Sequence, residues 1–380
     1  MLLYDKKLET NMGQYGIRLP MSPARTGKIL RYLEERRAGL PAASLDAAAA
    51  ALGLDSPLLT RSDLELVHQK EYITRLYDDP KGLEKELLTT YELINPDGTY
   101  NRYEPDAAEA PLEGLFKTIL YRTSGSYLAC RLALADREQL RGKILGEIPL
   151  EGFCFYLGGG QHHGRRDSGS GFCLLNDVIL AARKIQAEGR AGLVWIIDVD
   201  AHKGDGSAEL VKFSRDRGET FTGKNPEIIA LSVHMAAGWP LDAESLAAAE
   251  PGRAPLVESD IDIPIAQGEE SLYLPRLTQG IAELEKRSGG RTPGLVIVVD
   301  GVDVYEKDGL ASTALIALSR EQCLARDRLI FSYLRDRGLP SAWLMAGGYG
   351  EDAWEPTANF LASLAPGTSG PSGNRRVSGE

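Results

Sequence analysis

The sequence is poor in the residues that staple a fold, cross a membrane or hold nucleic acid. Its 380 residues include four cysteines, Cys130, Cys154, Cys173 and Cys323, and no two of them form a Cys-x-x-Cys pair. That spacing excludes a thioredoxin-type redox site and a zinc ribbon, and so few thiols cannot frame a disulfide scaffold. No stretch reaches the roughly 18 consecutive apolar residues of a membrane helix. The opening MLLYDKKLETNMG has no apolar core of signal-peptide length. The expectation is a cytoplasmic protein with no membrane partner. Basic residues are in the minority, 43 Lys and Arg against 54 Asp and Glu, for a formal net charge of −11. Phosphate backbones need clustered cations, so nucleic acid is not an expected partner. The acidity favours cationic ligands such as polyamines or basic peptide segments. Histidine is scarce too. There are five, and His162, His163, His202 and His234 all fall at or just beyond the ends of apolar runs, leaving only His68 elsewhere.

Those apolar runs carry the fold. FCFYLGG, LVWIIDVD, EIIALSVH, LVIVVDGVD and SAWLMAGG, all after residue 152, are short and almost continuously hydrophobic, as strands buried on both faces of a parallel sheet are. Helical stretches alternate with them: NDVILAARKIQAEG, LYLPRLTQGIAELEKRSG and SREQCLARDRLIFSYLRDRG. This alternation predicts an α/β protein with a mainly parallel central sheet. Upstream, residues 44–54 read as a short Ala-rich helix, residues 62–89 as charged helix and residues 95–111 as a turn-rich surface loop. The last residues, rich in Gly, Ser and Pro, read as disordered. In open α/β sheets ligands bind beyond the carboxyl ends of the strands, and here each strand runs into a polar or glycine-rich segment. The chemistry is expected where those segments meet.

Asp200 and His202 form an Asp-x-His pair at one such end. In an extended segment the two side chains point to the same side, so a carboxylate oxygen and an imidazole nitrogen can converge on one divalent cation. Asp303, at the end of a later strand, can add a third ligand, and three ligands with an open position is the catalytic arrangement. His162 and His163 follow a triple glycine whose freedom permits an irregular backbone. Two histidines there can divide the work of taking a proton from water and giving one to a leaving amine. The same pair could also hold a second metal or lie on the surface. Tyr349, in AGGYG, can donate to a developing oxyanion. His68 reads as a packed or capping histidine, His234 as part of a loop floor, and Arg165-Arg166 as caps of a surface loop, with contact to an acidic substrate group as the alternative.

Together these segments resemble the histone deacetylases and their bacterial relatives, the acetylpolyamine amidohydrolases and acetoin-utilisation-type proteins. GGGQHHGRRDSGSGFCLLNDVILAA resembles the family's double-histidine segment, DVDAHKGDG its metal-binding strand end, DGVDVYEKDGL the source of the last ligand and AGGYG the catalytic tyrosine turn. The resemblance implies a three-layer α/β/α domain of the arginase/deacetylase type over residues 1–364, with a tail over residues 365–380. It implies Zn²⁺, or Fe²⁺ or another divalent ion, on Asp200, His202 and Asp303. It implies proton handling by His162 and His163, oriented by Asp198 and Asp205, and polarisation of the acyl carbonyl by Tyr349. Gly171, Phe172, Trp239 and Gly347 would contact substrate, and K⁺ would sit near Asp198, Asp200, His202 and Ser232. The implied reaction is hydrolysis of an acylated amine, acetyl-lysine or an acetylpolyamine. Hydrolysis of another small amide or ester, or silent binding of acyl-lysine, are the alternatives. Three departures stand out. Lys203 replaces a histidine, the HMAAGWP loop is short with Trp239 for a phenylalanine, and residues 1–30 fit the pattern poorly. An acidic residue that grips peptide backbone has only Glu109 or Asp106 as candidates. Gly204 and Gly301 stand where the two-metal arginase relatives need carboxylates.

Overall fold

The computed structural model describes residues 1–9, 11–55, 58–95, 97–136, 140, 150–216, 227–242 and 256–365. Its centre is an eight-stranded sheet built from β1 (Leu2–Leu3), β2 (Ala42–Ala43), β3 (Phe153–Tyr156), β4 (Leu193–Asp198), β5 (Glu227–Met235), β6 (Ile261–Ile265), β7 (Leu295–Val299) and β8 (Ser341–Leu344). The order is β2-β1-β3-β8-β7-β4-β5-β6, and every neighbouring pair is parallel.

The described helices are α1 (Arg25–Glu35), α2 (Leu45–Ala51), α3 (Arg61–Leu64), α4 (Lys70–Asp78), α5 (Pro80–Thr90), α6 (Leu115–Ala133), α7 (Asp177–Ala187), α8 (Asp205–Asp216), α9 (Tyr273–Arg287), α10 (Arg320–Asp336) and α11 (Glu355–Ser363). They cover both faces of the sheet. Alternation along each strand explains the three layers: Val194 and Ile196 of β4 join a core shared with α6 and α7, while Trp195 and Ile197 join a second core with α9 and α10. Both faces are therefore apolar, which is why the strands read as unbroken hydrophobic runs. Local signals set the helix starts. Asn176 caps α7 by accepting the Ile179 N–H at 2.9 Å, and Ser319 with Gln322 forms a capping box on α10.

Several elements lie outside the sequence reading. β1 and β2 are two residues each, and β1 sits inside the sheet between β2 and β3. The N-terminal residues that fit the family pattern poorly thus belong to the fold. β6 and α6 also carried no signal. From Thr123 to Ala133 every residue of α6 is buried, so that half of the helix has no polar face to give it a period. The helical spacing of the 62–89 stretch is that of three helices, α3 to α5. The expected tail lies outside the described residues except for residue 365. Among the described residues no helix is long and apolar enough to cross a membrane.

Candidate metal centre and active site

Because all eight strands are parallel, the segments that leave β3, β4, β5, β7 and β8 emerge at one edge of the sheet. β4 is flanked by β5 on one side and β7 on the other, and the centre forms above it. The strand stops at Asp198, and residues 199–202 bend away instead of continuing extended. The convergence of Asp200 and His202 therefore comes from a turn, in which Asp200 Oδ1 accepts the His202 N–H at 3.0 Å, and not from strand alternation. Asp303 Oδ1 accepts the Ala201 N–H at 2.9 Å and ties the segment after β7 to the one after β4. Gly347 N–H donates to Asp200 Oδ2 at 2.9 Å from the segment after β8. Added to Gly347, a Cβ would lie 2.4 Å from Asp303 and 2.5 Å from Asp200, so only glycine lets that segment approach.

One oxygen of Asp200, one nitrogen of His202 and one oxygen of Asp303 lie within 4.8 Å of one another, and all three residues are buried. His202 Nδ1 stands 3.4 Å from Asp200 and 3.2 Å from Asp303. Burial opposes a charge on this imidazole, but its hydrogen bonds to the two carboxylates outweigh that and raise it to about 10. Burial and the charge of Asp200 push Asp303 up. Two buried carboxylates around one imidazole form a site that attracts positive charge, and this donor set suits Zn²⁺ or Fe²⁺. At the two positions where further carboxylates would stand, there is no room for a side chain. A Cβ on Gly301 would lie 2.2 Å from Asp200 Oδ2, and one on Gly204 would lie 2.4 Å from Asp198 Oδ2. Lys203 turns away from the cluster and ion-pairs with Asp262.

The two histidines lie side by side in the turn after β3, ring centres 4.0 Å apart. Each offers Nδ1 to a carboxylate at 2.7 Å, His162 to Asp198 and His163 to Asp205. Their surroundings then differ. Burial works against the charged form of His162, yet Asp198 and Asp200 raise it to about 9. Burial and the neighbouring His162 lower His163 to about 4, against the pull of Asp205. Asp205, the first residue of α8, also pairs through its other oxygen with Arg165, which holds Glu209 at 2.9 Å. Arg165 is thus no surface cap. It neutralises the carboxylate that orients His163. The turn itself is fixed by residues that the sequence did not single out. Asp177 accepts the N–H groups of Gly160 and Gln161 at 3.1 and 2.6 Å, and Asn176 Nδ2 donates to the carbonyls of His162 and Gly164 at 3.2 and 3.1 Å.

Aromatic rings frame the approach. Trp239 stands edge-on to His163 at 4.5 Å and to His202 at 5.5 Å. Phe172 stacks near Tyr91 at 6.3 Å and meets Tyr349 edge-on at 6.2 Å. Gly171, at φ +50°, leaves space that a Cβ would fill 2.3 Å from the Trp239 ring and 2.6 Å from His163. Burial, then Asp303 and Asp200, push the Tyr349 phenol well above its ordinary range. A cavity of about 170 Å³ joins His162, His163, Asp200, His202, Phe172 and Tyr349 to Met12, Met21, Arg25 and Arg122. Arg25, a further residue missed in the sequence, donates to the carbonyls of Ala346, Gly347 and Gly348 at 3.0 to 3.3 Å. Ser232 faces Asp198 across the β4–β5 register, and its buried Oγ has no hydrogen-bond partner among the described residues. Neither Asp106 nor Glu109 lines this cavity; Glu109 lines a separate surface hollow with Glu84 and Tyr103. His234 Nδ1 donates to the Met235 carbonyl at 2.8 Å.

Comparison with known proteins agrees with this geometry. Residues 19–363 match the histone deacetylase domain. The chain belongs to the histone deacetylase family. It is 31% identical over 210 residues to the acetoin utilization protein AcuC of Bacillus subtilis, covering 55% of this chain and 49% of that one. It is 28% identical to an uncharacterized protein of Picosynechococcus, covering 76% of this chain and 92% of the other. Histone deacetylase 2 of Arabidopsis thaliana is 26% identical over 60% of this chain and 53% of its own length. The fold matches a solved acetylpolyamine aminohydrolase from Burkholderia pseudomallei with a TM-score of 0.60 over 96% of this chain and 98% of that one, at 17% identity. The expected arginase/deacetylase fold is therefore the fold found.

Proposed function

We propose that this member of the family is a metal-dependent deacylase that hydrolyses the acyl-amide of a lysine side chain or a polyamine. The observation that carries the reading is that Asp200 and His202, clustered with Asp303, line one cavity with His162, His163 and Tyr349. The three ligands fit Zn²⁺ or Fe²⁺, and such an ion supplies a Lewis acid that acidifies water and polarises an acyl carbonyl. Asp198, Asp200, His202 and Ser232 would hold K⁺, a reading supported by the orphaned Ser232 hydroxyl. 

The chain's own groups account for the proton traffic. His163 commits Nδ1 to Asp205, which leaves Nε2 to accept a proton from the attacking water. The Asp205–Arg165 pair fixes the tautomer that makes this possible. His162 Nε2 leans toward Asp200 at 3.7 Å; with Asp198 on its other nitrogen it holds positive charge beside the developing oxyanion and can return a proton to the leaving amine. Tyr349, held protonated by its surroundings, donates to the acyl oxygen as charge builds there, an interaction typically worth about 3–4 kcal/mol in the transition state. Phe172 and Trp239 would flank the aliphatic chain of the substrate, with Gly171 giving it clearance. The net charge of −11 favours a cationic substrate. Assay of the Zn²⁺-loaded protein against acetyl-lysine peptides and acetylated polyamines tests the proposal. Turnover of either supports it, and metal-loaded protein that leaves both intact contradicts it.

A further inference from the structure

The tyrosine turn lies outside helix and strand, and Arg25 ties only the carbonyls that precede Tyr349. Tyr349 follows β8 by five residues and sits between Gly348 at φ +145° and Gly350 at φ +82°. Both glycines occupy backbone conformations that other residues rarely adopt, so the chain on either side of Tyr349 is not held by helix or strand. Its ring meets that of Phe172 edge-on. Something outside the turn must fix where the phenol points.

That fixture comes from the segment after β7. Asp308 Oδ2 accepts the Tyr349 N–H at 2.7 Å, and the next residue, Gly309, donates its N–H to the Tyr349 carbonyl at 3.0 Å. Two consecutive residues thus bind both backbone groups of Tyr349. The second oxygen of Asp308 accepts the Leu310 N–H at 2.9 Å and lies 3.1 Å from the Thr313 hydroxyl, so the carboxylate is itself held rigid. Contact is close enough that a Cβ on Gly309 would lie 3.0 Å from Gly350 Cα. The clamp also joins two sources of chemistry, because Asp308 is in the same segment as Asp303.

We propose that Asp308 is a positioning residue that sets the Tyr349 phenol against the acyl carbonyl. This rests on the deacylase reading given above. An amide in place of the carboxylate keeps one acceptor and sets its N–H groups against a backbone donor, so Asp308→Asn should loosen the turn. A displacement of about 1 Å in a reacting group can cost about 10²-fold in rate. The effect should fall on kcat, with KM and metal content unchanged.

The test is a double-mutant cycle on the full, Zn²⁺-loaded chain with Asp308→Asn, Tyr349→Phe and the pair, joined to crystal structures of the wild type and Asp308→Asn. Metal content and thermal melting screen each variant for folding. The expected result is a fall in kcat of about 10- to 100-fold for Asp308→Asn that vanishes in the Tyr349→Phe background, with the Tyr349 ring displaced or spread over several positions. Losses that multiply in the pair, or an unshifted kcat, overturn the proposal. If the wild type turns over no acylated amine, the deacylase reading fails and the clamp is judged by the crystals alone. A Tyr349 ring unmoved in Asp308→Asn then overturns it, and a displaced ring sustains it.

Discussion

At the scale of single residues, the site depends on groups whose charge is matched by an immediate neighbour. Asp303 is a case where a backbone N–H does this instead. It offers an oxygen to the candidate ligand cluster and accepts the Ala201 N–H through Oδ1. Asp303→Ala should abolish stoichiometric binding of the divalent ion, read by elemental analysis after dialysis, while circular dichroism keeps its native form. Full metal occupancy in that variant would remove Asp303 from the ligand set. Asp205 makes a different prediction. It orients His163 at 2.7 Å and is balanced by Arg165. Asp205→Asn should retain metal and lower kcat by about 10- to 100-fold, because the amide can no longer stabilise the tautomer that leaves Nε2 free. Steady-state kinetics beside metal analysis separates that outcome from simple loss of the ion.

The scale of elements is where the double-histidine turn meets the helices behind it. His68, between α3 and α4, is buried at 3% exposure and bridges that turn to the start of α7. Its Nδ1 lies 2.8 Å from the Arg165 carbonyl and so must carry the hydrogen, leaving Nε2 to accept the Asn176 N–H at 3.1 Å. A second proton would set two donors against each other, and burial lowers His68 to about 4. The unfolded chain takes up a proton near the ordinary value of 6.5, which the folded chain refuses until about 4. Stability present above about 6.5 should therefore fall as pH drops toward 4, by at most about 1.4 kcal/mol per pH unit from this group. Urea unfolding across that range, compared with His68→Gln, measures it. Glutamine has an acceptor and a donor but no titration, so the variant should show a flatter slope, and equal slopes would refute the assignment. The expectation of a packed histidine was legible in the sequence because its surroundings read as charged helix. The candidate ligands and the histidine pair were legible for a stronger reason. They stand where buried strands end, and such strands announce themselves as apolar runs. β1 and β2 are too short to show a period, and α6 is buried on every side from Thr123 to Ala133. Arg25 and Arg165 act on a carbonyl or carboxylate brought near only by the fold; for Arg25 the partner is 321 residues away.

For the whole molecule, an all-parallel sheet brings five chain segments to one edge and places the only cluster of three metal-ligating side chains found among the described residues there. An acidic chain around such a centre is suited to acylated cations. The family and the fold agree with this chemistry, and the substrate is the part that chemistry alone must decide. The most direct measurement is the rate of acyl release from acetyl-lysine peptides and acetylated polyamines by Zn²⁺-loaded protein, run beside Tyr349→Phe. The account predicts turnover of at least one class and a loss of about 10²- to 10³-fold in the variant, with its metal retained. Equal rates for the two proteins, or no acyl release with the ion bound, would contradict it.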